Sequence, residues 1–171
     1  MNPAVLKSKK VVGSEGYILG EMGDLHFDLE KWQAIAFYVA LSAEAAEELD
    51  LKKLALRKIM VCLPIKLIKT VGDVVELTTP VRSIKDVADE EMCVEPVKVV
   101  GKKVISMTGY EVGNIEAVDV DFGSWRINGL QVGLTDNAAM DLGFKRPFMS
   151  KVVVIIPPSA VGEIGKVTIA S

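Results

Sequence analysis

The sequence predicts a mainly β protein built as two tandem small β-barrels, each carrying one short helix. Three observations carry that prediction. Residues 9–76 align with residues 102–169 without a gap and share 19 identities, a repeat of 93 residues. Collinear self-similarity of this kind marks one folding unit used twice. Within each copy the apolar residues alternate with polar ones at the period of a half-buried strand. The glycine pairs Gly16/Gly20 and Gly109/Gly113 punctuate both copies at the same place. The boundaries that follow are a first barrel over 1–80, a linker with a short helical stretch over 81–96, and a second barrel over 97–171.

Taken in order, Lys10-Val-Val12 predicts a short strand, stopped by the glycine-rich turn Gly13-Ser-Glu-Gly16. Gly16, Gly20, Gly109 and Gly113 are expected where φ is positive or where a side chain would collide with backbone. The next strand sets Leu25, Phe27 and Leu29 on one face and Asp24, His26 and Asp28 on the other. Its counterpart sets Val118, Val120 and Phe122 against Asp119 and Asp121. Met22 and Ile115 stand three residues ahead of these apolar series, an odd spacing that predicts a bulge. Strongly bent strands are what a small barrel needs in order to close.

The turns that follow end on Trp32 and Trp125. Beyond them Phe37, Val39 and Leu41 are expected inward, matching Leu130, Val132 and Leu134. The outer face of this strand is Ala34, Ala36, Tyr38 and Ala40 in the first copy, but includes Gln131 and Gly133 in the second. An apolar outer face on one copy predicts a contact with another barrel or another subunit. Ser42 to Leu49 and Thr135 to Leu142 predict short helices, with Ser42 capping the first, Glu44 at its positive end and Gly143 stopping the second. Strands over Lys58–Leu63 and Lys151–Ile156 end at the structural turns Pro64 and Pro157. Each copy then closes with a helical turn and a last strand, Val71 to Leu77 and Ile164 to Ile169. Pro80 and Pro96 bracket the linker, where Ser83 to Glu91 predicts one or two helical turns.

Composition narrows the function classes. A net charge of −3 and scattered basic residues argue against a nucleic-acid surface. The longest apolar runs, Ala34–Leu41 and Val152–Pro158, fall far short of the roughly 18 residues a membrane helix needs, and no signal peptide is expected. A mean hydropathy of +0.32 is high for a chain with no membrane span, so surplus apolar surface is expected at a subunit or partner contact. Cys62 and Cys93 fit no disulfide or ligand spacing, which points to a reducing compartment. Cys62 aligns with Ile155 and reads as a core residue.

No chemistry emerges at any cluster. Asp24, His26 and Asp28 share a strand face as three candidate ligands, but the second copy carries Ala117 and Asp119 at the first two positions, so a solvated face is expected and no metal. One histidine and no Gly-x-Ser-x-Gly elbow leave no catalytic residues and no enzyme. The glycine pairs open no helix and are followed by no Gly-Lys-Ser/Thr, so no cofactor is expected. Trp32 and Trp125 are candidates for partner anchors or for packing beside their turns. With Ala36, Tyr38, Ala40, Val152 and Val154 they complete the expected interaction surfaces.

The order Lys-Val-Val/Ile, Gly-Tyr-x-x-Gly, a strand ending in Asp, a turn, a strand ending near Leu, an Ala-rich helix, then Pro and a Gly-x-Val strand resembles the PRC-barrel module, twice over nearly the whole chain. That module occurs in the photosynthetic reaction centre H subunit, after a membrane helix, and in the ribosome maturation factor RimM, after a different barrel. A bare tandem is similar to small archaeal PRC-barrel proteins of cell division. The resemblance implies a cytoplasmic adaptor, recruited to the division site at the membrane through a partner. That partner is expected to be SepF, which links to the FtsZ ring, or a paralogous PRC-barrel protein. It further implies a homodimer or polymer, with no nucleic acid and no direct membrane insertion. The alternative it implies is an accessory factor in ribosome maturation or RNA metabolism, as with RimM.

Overall fold

The computed structural model describes residues 1–51, 58–88, 98–144, 151–163 and 167–169. The chain is mainly β and forms two six-stranded sheets of like strand order. It divides into two compact units, one of Pro3–Asp28 with Gln33–Val97, the other of Met1–Asn2, Leu29–Trp32 and Lys98–Ser171.

The first sheet holds β1 (Lys10–Val12), β2 (Ile18–Asp28), β3 (Gln33–Leu41), β4 (Met60–Pro64), β5 (Ile68–Val71) and β6 (Val75–Leu77), in the order β4-β3-β2-β1-β6-β5. All neighbours are antiparallel except β1 and β6, which run parallel. Two register shifts interrupt the β2–β3 ladder, between Met22 and Leu25 and between His26 and Phe27. The first resolves the odd spacing of Met22, which is turned inward and is only 2% exposed. The core gathers Val11, Leu19, Phe37, Val39, Leu63 and Val75, all fully buried. Leu6 from an N-terminal turn also joins the buried set, as do Val81 and Ile84 from the segment after β6.

The second sheet repeats this with β7 (Lys103–Ser106), β8 (Glu111–Val120), β9 (Ile127–Leu134), β10 (Val153–Ile156), β11 (Val161–Glu163) and β12 (Val167–Ile169), in the order β10-β9-β8-β7-β12-β11. Register shifts between Ile115 and Ala117 and between Asp119 and Val120 match those of the first sheet. Ile115, Val118, Val120, Leu130 and Val132 form its core.

Two expectations need correction. The hydrogen-bonded ladders do not close: among the described residues β4 and β5 remain the free edges of one sheet, and β10 and β11 those of the other. Pro64 and Pro157 stand where pairing stops and have no N–H to offer, so the ladder ends there and the chain turns through Ile65–Leu67 or Pro158–Ala160. The single closing strand foreseen over Val71 to Leu77 is a hairpin, because the chain reverses at Gly72 and the Gly72 N–H bonds the Val74 carbonyl at 3.0 Å. The helical stretch of the linker is a turn over Val81–Ser83 followed by α2 (Ile84–Val87). The rest of it, with Cys93 and Pro96, lies outside the described residues.

The two helices between the third and fourth strands are α1 (Ala43–Glu48) and α3 (Asp136–Asp141). The Ser42 hydroxyl accepts the Ala45 N–H, and the Thr135 hydroxyl accepts the Ala138 N–H, both at 3.1 Å. Each helix ends in the same double backbone cap. Gly143 N–H bonds Met140 and Phe144 N–H bonds Ala139, as Asp50 bonds Glu47 and Leu51 bonds Ala46. The capping position is left-handed in both, φ +77° at Gly143 and +54° at Asp50. A side chain there strains the backbone, so Asp50→Gly is expected to stabilise the first unit by about 1 kcal/mol. A urea midpoint unchanged or lowered by this substitution would show that the Asp50 side chain offsets the strain.

Candidate interaction surfaces

The glycines do two different jobs. Gly16 and Gly109 take φ of +87° and +85°, in open space. At Gly20 and Gly113 a Cβ would overlap the carbonyl oxygen of Ala40 or Gly133 on the neighbouring strand. That close approach brings the end of β3 or β9 against β2 or β8. Ser42 and Thr135 then give their N–H groups to the Leu19 and Val112 carbonyls at 2.9 Å, which fixes where each helix starts.

The expected interaction residues differ in exposure. Ala36, like Ala34, is 0% exposed, so it presents nothing to a partner. The burial of β3 does not alternate cleanly: Ala36 and Phe37 are consecutive buried residues. The apolar outer face therefore narrows to Tyr38 and Ala40, both partly buried. Val152, just before β10, and Val154 on it are half-buried, while the exposed side chains of the strand are Val153 at 45% and Ile155 at 61%. Ile155 leans over Gly129, where a Cβ would come within 2.6 Å of its Cγ2.

The two tryptophans both adopt left-handed backbone, φ +51° at Trp32 and +60° at Trp125. Trp32 is partly buried and its carbonyl accepts the Ile127 N–H at 2.9 Å within the same unit. Trp125 is 9% exposed, with its ring centroid 5.5 Å from that of Phe122. Its turn is tied by Asp121, whose carboxylate accepts the Gly123 N–H at 2.8 Å and the Ser124 hydroxyl at 2.9 Å. Those two donors hold the Asp121 carboxyl below its ordinary pKa.

The His26 face gathers no ligand set. Asp24 is exposed and paired to Lys7 at 3.4 Å, while the His26 Nδ1 is buried without a hydrogen-bond partner. Among the described residues no three His, Cys, Asp or Glu side chains come together, and no helix is long and apolar enough to cross a membrane.

Two features escaped the sequence reading. The end of α3 exposes Met140 (72%), Leu142 (61%) and Phe144 (44%). Beside it the Tyr110 hydroxyl donates to Asp141 at 2.7 Å, and that carboxylate raises the Tyr110 pKa. The signal was present in the repeat: Met140 replaces Glu47, so a polar surface position became apolar. The second is a cavity of about 210 Å³ beside α1, with Ile18, Leu41, Ala46 and Ile59 in its walls and Lys10 and Lys58 among its lining residues. Compared with family models and with curated proteins, the chain matches none.

Proposed function

We propose that the chain is a non-enzymatic adaptor of protein assemblies, formed of two PRC-type barrel modules and acting in archaeal cell division with SepF, FtsZ or a paralogous PRC-barrel protein. Each sheet is read as the wall of a small barrel, bent at the paired register shifts of β2 and β8. The repeated strand order supports a module used twice. The observation that carries the adaptor reading is the set of large apolar side chains left in the open, among them Met140, Leu142, Val153 and Ile155. Clustered exposure of this kind marks surfaces that meet other macromolecules. In this reading the protein is cytoplasmic, associates with itself, and reaches the division site through its partner.

A fluorescent fusion in an archaeal host that divides with a tubulin-like ring tests it. A mid-cell band that disappears on depletion of SepF is the expected result. Diffuse signal, with the protein co-sedimenting with ribosomal subunits instead, would overturn the division role in favour of ribosome maturation.

A further inference from the structure

We propose that this chain binds a second copy of itself head to tail, the apolar end of α3 on one copy seating in the cavity beside α1 on the next. The inference rests on the self-association named above and supplies its contact.

The cavity suits one side chain. Its volume of about 210 Å³ is below the roughly 300–1,000 Å³ of small-molecule sites. It exceeds the about 150 Å³ in which an apolar cavity already holds a benzene ring. A methionine or leucine side chain fits inside that volume, and Met140 and Leu142 are the two most exposed large apolar side chains of α3 and its cap.

The two copies of the repeat have diverged in complementary directions. Around the cavity of the first unit, Lys58 is met by Glu21 at 3.6 Å and Lys10 has no ion pair among the described residues. At the equivalent place in the second unit Ile18 is replaced by Glu111, which lies 3.7 Å from Lys103, and Lys151 is paired to Glu116. There a carboxylate stands where the first unit has an apolar wall residue. The helices show the reverse. α3 offers Met140 and Leu142 beside the carboxylates of Asp136 and Asp141, whereas α1 carries Glu47 and a Leu49 that is only 4% exposed. So one unit keeps the socket with a spare cation, and the other keeps the plug with acidic neighbours. Used head to tail, a contact between unlike surfaces of identical chains continues from one copy to the next, into a ring or an open filament.

The repeat also supplies the test variants, since each unit shows what the other tolerates. Met140→Glu installs the residue of α1, and Ile18→Glu installs the residue of the second unit; both positions are exposed, at 72% and 47%. Sedimentation velocity of the full chain over a concentration series is expected to show wild-type mass growing past a dimer. Each variant alone is expected to associate more than about tenfold more weakly, because a carboxylate must be desolvated at the contact. An equimolar mixture of the two variants, each with one intact half, should recover a dimer and nothing larger. Circular dichroism checks that both remain folded. A wild type that stays monomeric, a variant with wild-type mass, or a mixture that does not associate overturns the proposal. Lys145 and Arg146 follow Phe144 in the sequence, so vesicles of phosphatidylglycerol form a second arm. Wild-type co-sedimentation with them, lost in Met140→Glu, in a chain that does not self-associate, would assign the plug to a lipid surface instead. A monomeric chain that still reaches mid-cell sinks this contact alone, and a self-associating chain found on ribosomes sinks the division role alone.

Discussion

Gly20→Ala and Gly113→Ala are expected to unfold the sheets that hold them, at a cost above about 3 kcal/mol each. At both positions the new methyl would occupy the space of a backbone carbonyl oxygen, of Ala40 or Gly133, with the Cα of Leu41 at 2.9 Å and of Leu134 at 3.1 Å. A flexible side chain can swing away from an overlap, but a carbonyl in the middle of a ladder cannot. Relief would require the end of β3 or β9 to move off its neighbour. That would break the bonds from Ser42 to Leu19 and from Thr135 to Val112, and with them the start of each helix. The internal control is Gly16→Ala and Gly109→Ala. There φ is positive but no atom lies within 4 Å of the new Cβ, so only the left-handed backbone is penalised, by about 1 kcal/mol. Thermal or urea unfolding of the four variants should therefore rank Gly20 and Gly113 well below Gly16 and Gly109. Equal losses at all four would mean that the strands do not approach as closely as described. Gly20→Ala carries an added consequence, because Gly20 lines the cavity beside α1.

What could be read in the residues, and what could not, follows from the range of the interactions involved. The repeat, the helix caps at Ser42 and Thr135 and the stop at Gly143 are local, and the sequence shows them directly. The bulge at Met22 was also legible, because an odd spacing cannot be fitted to a period of two. The second shift, between His26 and Phe27, left no such trace, and it alters which neighbours those residues meet. Burial of Ala34 and Ala36 was missed for a related reason. Alanine is compatible with an exposed or a covered face, and what covers a sheet is decided by tertiary contact. Which of Val152–Ile156 are most exposed was not legible either, because an unbroken apolar run carries no alternation to set its faces. Closure of the barrels depends on pairing between the two edge strands of each sheet, a tertiary contact that no strand pattern reports.

Trp125→Ala is expected to cost about 3–5 kcal/mol, the range for removing a buried tryptophan, and this bears on what the repeated tryptophan is for. Trp125 is 9% exposed and lies against Phe122, so its removal opens a large void within the second unit. Alanine leaves the left-handed φ of +60° in place, so the loss reports burial without any change in backbone strain. Trp125→Gly supplies the complement: it deletes the same ring but relieves the strained φ, and should lie no lower than the alanine variant in spite of glycine's greater unfolded-state entropy. Trp32 is only partly buried, and Trp32→Ala should cost less than half as much. An anchor for a partner would behave otherwise, weakening association while leaving the isolated chain as stable as before. Chemical denaturation of both alanine variants, beside their self-association measured below the unfolding transition, separates the two roles. A Trp125→Ala chain with a wild-type midpoint and weakened association would move this residue from the core to the contact surface. A large stability loss confined to Trp125, with Trp32→Ala folded but weaker in association, would mean that one repeated residue has come to serve packing in one copy of the repeat and recognition in the other.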